Sequence, residues 1–140
     1  MKTVVIGDTH LKNIPHQPGY IKAQCEAILR IAHQESDAMN IIFLGDVFHN
    51  RKPTPTELLC FQKVLKALHD FEIFIIRGNH ESETKADDGI TCLSLFAGSH
   101  THIYEHIGEW GPYTFIPHYE HQDIIENALP DRDWETEIDK

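Results

Sequence analysis

A chain of 140 residues carrying 22 acidic and 12 basic side chains, with a net charge of -10, is long enough for one domain and for a core that buries about two thirds of its unfolded surface. The acidic balance argues against a protein that coats nucleic acid by broad attraction to the phosphate backbone. Cys25, Cys60 and Cys92 are odd in number, widely spaced and each set in an apolar helical pattern, which reads as reduced core thiols and not as a disulfide framework. The N-terminus passes directly into a strand pattern and no stretch nears about 18 apolar residues, so a cytoplasmic protein without a membrane span is expected.

The first strand, Val4-Val5-Ile6, runs into Gly7-Asp8-Thr9-His10. Pro15, Pro18 and Gly19 make Leu11 to Gly19 an irregular loop. From Tyr20 to about Ser36, Ile21, Cys25, Ile28, Leu29 and Ala32 recur at helical spacing, which predicts the crossover helix that a parallel strand pair requires. A second apolar strand starts at Asn40 and ends Ile41-Ile42-Phe43-Leu44 before Gly45-Asp46. Thr54-Pro55-Thr56-Glu57 reads as a capping box with Pro55 at the first helical position, opening a helix whose face is Leu58, Phe61, Val64, Leu65 and Leu68. His69-Asp70 closes it. The run Ile73 to Ile76 has no polar alternation, as in a parallel strand covered on both faces, and it enters Arg77-Gly78-Asn79-His80-Glu81.

Beyond this turn, Glu81 to Gly89 is charged, and Ile90, Cys92, Leu93, Phe96 and Ala97 predict a short helix. Thr101–Glu105 and Tyr113–Pro117 read as two strands, with Gly108 and Gly111-Pro112 between them, and a last short helix is expected at Gln122 to Leu129. Residues from Asp131 show no packing pattern, and no repeat or linker divides the chain, so residues 1–140 form one domain.

The order β-α-β-α-β with right-handed crossovers puts the strands in one sheet with their carboxyl ends together, the place where ligands gather in such sheets. That edge collects Asp8, His10, Asp46, Asn79 and His80. Carboxylate and amide oxygens suit hard divalent ions while imidazole suits borderline transition metals, so the mixed set points to manganese, iron or zinc. A bound divalent ion would bring positive charge to that cleft, and local ion charge dominates a site of this kind whatever the net charge of the chain.

Asp8-x-His10, Gly45-Asp46 and Gly78-Asn79-His80, in that order and each behind an apolar strand, resemble the motifs of the calcineurin-like metallophosphoesterases over residues 1 to about 80. Glu81 departs from the pattern, since the family usually has Asp there. The stretch from Asp46 through Phe48, Arg51 and Pro53 to Pro55 is further similar to the DNA double-strand-break repair exonucleases of the SbcD type and their phage relatives. The resemblance implies an α/β fold, a mainly parallel sheet with covering helices that forms part of a two-sheet sandwich. It implies metal-dependent phosphodiester hydrolysis by a DNA exonuclease or endonuclease subunit in repair and recombination. A phosphatase of the same family, or a truncated non-catalytic binding partner, stands as an alternative. Two divalent ions are implied, manganese first and iron or zinc next, with Asp46 bridging, Asp8 and His10 on one side and Asn79 on the other. His80 would protonate the leaving oxygen, a role that suits a group titrating near neutral pH. DNA as substrate and a coiled-coil ATPase partner complete what the resemblance implies; a homo-oligomer is expected because a half-length chain would expose apolar surface where the second sheet packs.

The remaining histidines are weighed against the same pattern. Ser99-His100-Thr101-His102 mimics the family's last motif but follows Asn79 by only about 20 residues, with no further histidine motif between; strand-edge histidines are the better reading. His118, after Ile116-Pro117, is more similar to the family's Ile-Pro-aromatic strand than to its fourth motif. On that placement the fourth and fifth motifs, with three histidine ligands, are absent and the chain corresponds to the N-terminal half of a phosphoesterase, unless His100, His102 or His118 completes the site. His49 lies near enough in sequence to contact a substrate.

Overall fold

Four strands lie in sequence order across one sheet, each parallel to the next: β1 (Lys2–Ile6), β2 (Ala38–Phe43), β3 (Glu72–Ile76) and β4 (Thr101–Tyr104). The computed structural model describes residues 2–35, 37–79, 81 and 91–128. Because every crossover steps in the same direction, right-handedness sends both long helices, α1 (Pro18–Ala32) and α2 (Pro55–Ala67), to one face. There Ile28, Ala32, Phe61, Val64 and Leu65 close over Ile6, Ile41, Phe43, Ile73 and Ile75 in one buried cluster. Phe61 packs edge-on against Phe43, Phe48 and Phe96, at centroid distances of 5.5, 5.5 and 5.1 Å. The mainly parallel sheet with covering helices is as the sequence predicts.

Helix α1 starts two residues earlier than expected. Pro15 does belong to a turn, but Pro18 and Gly19 are the first helical residues. A proline at that position gives up a backbone N–H that has no partner in the first turn anyway, and its fixed φ suits the helix. The helix ends at Ala32, short of the expected Ser36. β2 accordingly begins at Ala38, reaching Lys2 across an irregular step in the register.

Helix α2 opens as predicted. The Glu57 amide donates to Thr54 Oγ1 at 3.2 Å and the Thr54 amide donates to Glu57 Oε1 at 2.7 Å. Glu57 does more than cap. Its other oxygen accepts from the Asn13 amide at 2.6 Å, tying the start of α2 to the loop after β1, and the residue is buried. Thr54→Ala is expected to destabilise the protein by about 1 kcal/mol, the usual cost of losing such a cap. The shift of a urea midpoint at unchanged slope measures it.

The opposite sheet face carries Ile42, Phe74 and Ile76. A hairpin covers it: β5 (Gly108–Trp110) pairs antiparallel with β6 (Tyr113–Phe115). Phe74 meets Trp110 at 4.6 Å and Phe115 at 5.4 Å, and Thr3 Oγ1 lies 3.2 Å from Tyr113 Oη. Residues 108–112 were expected to be spacer only; instead Gly108 to Trp110 is a strand, because Trp110 has an aromatic surface to land on. The linking residues supply the turn. Gly111 takes a φ of +56° and Pro112 fixes a negative φ after it, the sign pattern of a tight II′ hairpin turn. Val5, which pairs with Ile42 in register, and Leu44 are more than half exposed. A 3-10 helix (Cys92–Phe96) and α3 (Gln122–Ala128) complete the described elements. The expected charged segment 82–89, Ile90, Leu129 and the tail from 131 lie outside the described residues. No helix among the described residues is long and apolar enough to cross a membrane.

The three cysteines are free and half-buried, as expected. Burial pushes the Cys25 and Cys92 thiols up to about 11, which suits inert core groups.

His100 and His102 flank Glu72 at the amino end of β3. His100 Nδ1 is 2.6 Å from Glu72 Oε1 and His102 Nε2 is 2.7 Å from Oε2. Since a carboxylate only accepts, both rings donate to it. The bonds from His100 and then His102 hold the Glu72 carboxyl below its ordinary value of 4.5. The sign follows from linkage: a depressed folded value contributes stability above the ordinary one, and this is lost as pH falls through the folded one. Comparing thermal midpoints of wild type and Glu72→Gln across pH 6 to about 3 should show a small advantage for wild type that closes below about pH 4.5.

Candidate metal centre

The loops leaving β1 and β2 stay paired after the sheet ends. The His10 amide donates to Asp46 O at 2.9 Å, the Leu11 amide to Val47 O at 2.7 Å and the His49 amide to Leu11 O at 3.1 Å. From α1, the Gln24 side chain donates through Nε2 to Thr9 O and His10 O and accepts through Oε1 from the Lys12 backbone N–H. These bonds leave the intervening side chains facing one another. One ligand atom from each of Asp8, His10 and Asp46 falls within 4.8 Å of the others. His10 Nε2 sits 3.9 Å from Asp8 Oδ1 and 3.9 Å from Asp46 Oδ2. The Asp8 side chain is 82% exposed and that of Asp46 21%.

All three residues have left-handed backbone, with φ of 49°, 45° and 48°. Such conformations are uncommon outside glycine and gather where the surrounding structure enforces them for function. Here the paired loops enforce them.

The third loop, after β3, is pressed against the second. A Cβ built on Gly78 would stand 2.5 Å from Asp46 Oδ1, and one on Gly45 would stand 2.7 Å from Gly78 Cα. Both positions therefore require glycine. Gly78 brings the next residue, Asn79, to the same edge, where its Oδ1 accepts from Arg51 Nη2 at 3.2 Å. His80 lies outside the described residues. His49 is close to the cluster, its ring 5.7 Å from that of His10. His100 and His102 are not. His102 pairs in register with Phe74, five residues before Asn79 and so about 16 Å from it at the usual rise per residue, and His100 lies farther back. His118 is joined to this edge through its backbone, its amide donating to Arg77 O at 3.0 Å, while its ring turns to Glu120.

Glu81 is the participant that the sequence did not announce. It is 1% exposed, and its carboxylate accepts from the Asp46 amide at 2.9 Å, from the Gly78 amide at 2.7 Å and from the Val47 amide. Burial raises its carboxyl above the ordinary range, the Asp46 charge adds to this, and the three amides pull the other way. Only its departure from Asp marked it in the sequence.

Two carboxylates and an imidazole within one ion's reach, beside an amide oxygen, are a donor set that fits a divalent transition ion. The chain matches the calcineurin-like phosphoesterases over residues 1–136 and belongs to that family. Among solved structures it is similar to the nuclease MPE of Pseudomonas putida, at 21% identity and a TM-score of 0.54, over 79% of this chain and 50% of that one. It thus spans half the length of that nuclease, and the likeness speaks for the fold. No curated protein matches the chain.

Proposed function

We propose that this chain is a metal-dependent phosphodiesterase acting on DNA, a cytoplasmic nuclease subunit of the SbcD type serving repair and recombination. The observation that carries the reading is the convergence of Asp8, His10 and Asp46 at the carboxyl ends of two parallel strands, with the Asn79 turn against them. The Asp46 to Pro55 motif and a structural neighbour that is a nuclease support nucleic acid as the substrate.

Asp46, the less exposed carboxylate, would bridge two ions. Asp8 and His10 would hold one and Asn79 the other. Manganese fits this set first, iron or zinc next, and such a pair supplies an activated water and neutralises charge at phosphorus. His80, adjacent to Asn79 in the chain, would give its proton to the departing oxygen. The SbcD-type reading brings a coiled-coil ATPase partner with it, and exposed Val5 and Leu44 support self-association, which sedimentation would read.

A manganese-loaded sample assayed on linear DNA, a bis-aryl phosphodiester and an aryl phosphate tests the reading. Cleavage of DNA and the diester is expected. Preference for the aryl phosphate would make the chain a phosphatase, which its net charge of -10 favours. Manganese binding without hydrolysis of any of the three would make it a binding partner.

A further inference from the structure

The site is divided between chain segments that approach from different strands. Asp46 belongs to the loop after β2 and Asn79 to the loop after β3. A metal pair bridged by the first and completed by the second needs a fixed gap between them, and glycine contacts alone set only its lower limit. We propose that Glu81 is a positioning residue that fixes this gap, by fastening the peptide of Asp46 and the peptide before Asn79 to one carboxylate. The inference rests on the metal-site reading above.

Three observations carry it. Glu81 Oε2 is shared by the amides of Asp46 and Gly78, at 2.9 and 2.7 Å, so a single atom joins the two loops. Glu81 Oε1 takes the next amide along, that of Val47, which prevents the carboxylate from rotating. The residue is 1% exposed and both of its oxygens are engaged with backbone N–H groups, so it is placed to hold the ligands and not to be one. Asp46 is the residue that most needs such a hold, since it follows Gly45 at φ 100° and is itself at φ 48°. A side chain one methylene shorter reaches about 1.5 Å less far. From the same backbone position it cannot serve donors on both loops.

The test is manganese titration by calorimetry of the full chain and of Glu81→Asp, Glu81→Gln and Glu81→Ala, at a temperature where circular dichroism shows each folded. Groups that orient ligands typically contribute 10- to 100-fold to metal affinity. Glu81→Ala and Glu81→Asp are each expected to lose roughly 10-fold or more on that scale. Glu81→Gln should fall between them and wild type, because it keeps one acceptor but turns an NH2 toward amide donors. If Glu81→Ala does not fold, the Asp and Gln variants make the same comparison. A purely structural role would lower the melting temperature and leave manganese affinity of the folded protein unchanged in all variants, which would overturn this inference alone. Absence of manganese binding by wild type would overturn it together with the functional reading.

Discussion

Asp46→Ala is expected to weaken manganese binding by more than the roughly 10- to 100-fold that removal of a supporting group costs a metal site, and by more than loss of Asp8, His10 or Asn79. Asp46 has the central place. One oxygen lies 3.9 Å from His10 Nε2 while the other faces Gly78 and hence the Asn79 turn. On the proposed function a carboxylate so placed would serve both ions, and its loss would also leave their mutual repulsion unscreened. Asp8, with a side chain 82% exposed, would touch one ion only, and water could take its place there. Because alanine tolerates the φ of 48° poorly, Asp46→Asn belongs beside it: it keeps the shape, accepts left-handed backbone and removes the charge. Calorimetry decides. Manganese affinity unchanged in both variants would discard the bridging assignment.

His80→Ala is expected to slow turnover by roughly 10²- to 10⁴-fold, the usual contribution of a general acid, with manganese affinity nearly intact. The defect should depend on the substrate. A nitrophenolate departs readily without a proton, whereas the alkoxide of a sugar does not, so the loss should be much smaller for the aryl diester than for DNA. Equal slowing of the two substrates would mean that His80 is not the acid.

How much of this was legible depended on how local the cause was. The capping box at Thr54 and Glu57 lies within four residues and was read correctly. So was the gathering of Asp8, His10 and Asp46, because strand order and crossover handedness bring the ends of parallel strands together from pattern alone. Gly108 to Trp110 was missed because nothing local makes it a strand; Phe74, far back in the chain, provides the surface. The partnership of Glu72 with His100 and His102 was hidden for a similar reason, since the parallel register of β3 on β4 creates it. Glu81 was hardest to read. Its sequence neighbours are polar, and its burial arises only when two separate loops close on it. The α1 start departs from expectation for a simpler reason: proline usually breaks regular structure, yet the first turn of a helix accepts it, as at Pro18.

The left-handed backbone at Asp8, His10 and Asp46 bears on how lineages of such chains should diverge. Each position holds a residue that folding alone would not select, since glycine would relax the backbone there by an amount of order 1 kcal/mol, and removing the paired carboxylates would relieve repulsion in the apo protein. On the proposed function, retention of metal chemistry is what would oppose that drift. In a descendant freed from catalysis, these three positions should be among the first to change, toward Gly or Asn, and the protein should melt higher as a result. Gly45 and Gly78, where the backbone itself leaves no room for a side chain, should outlast them.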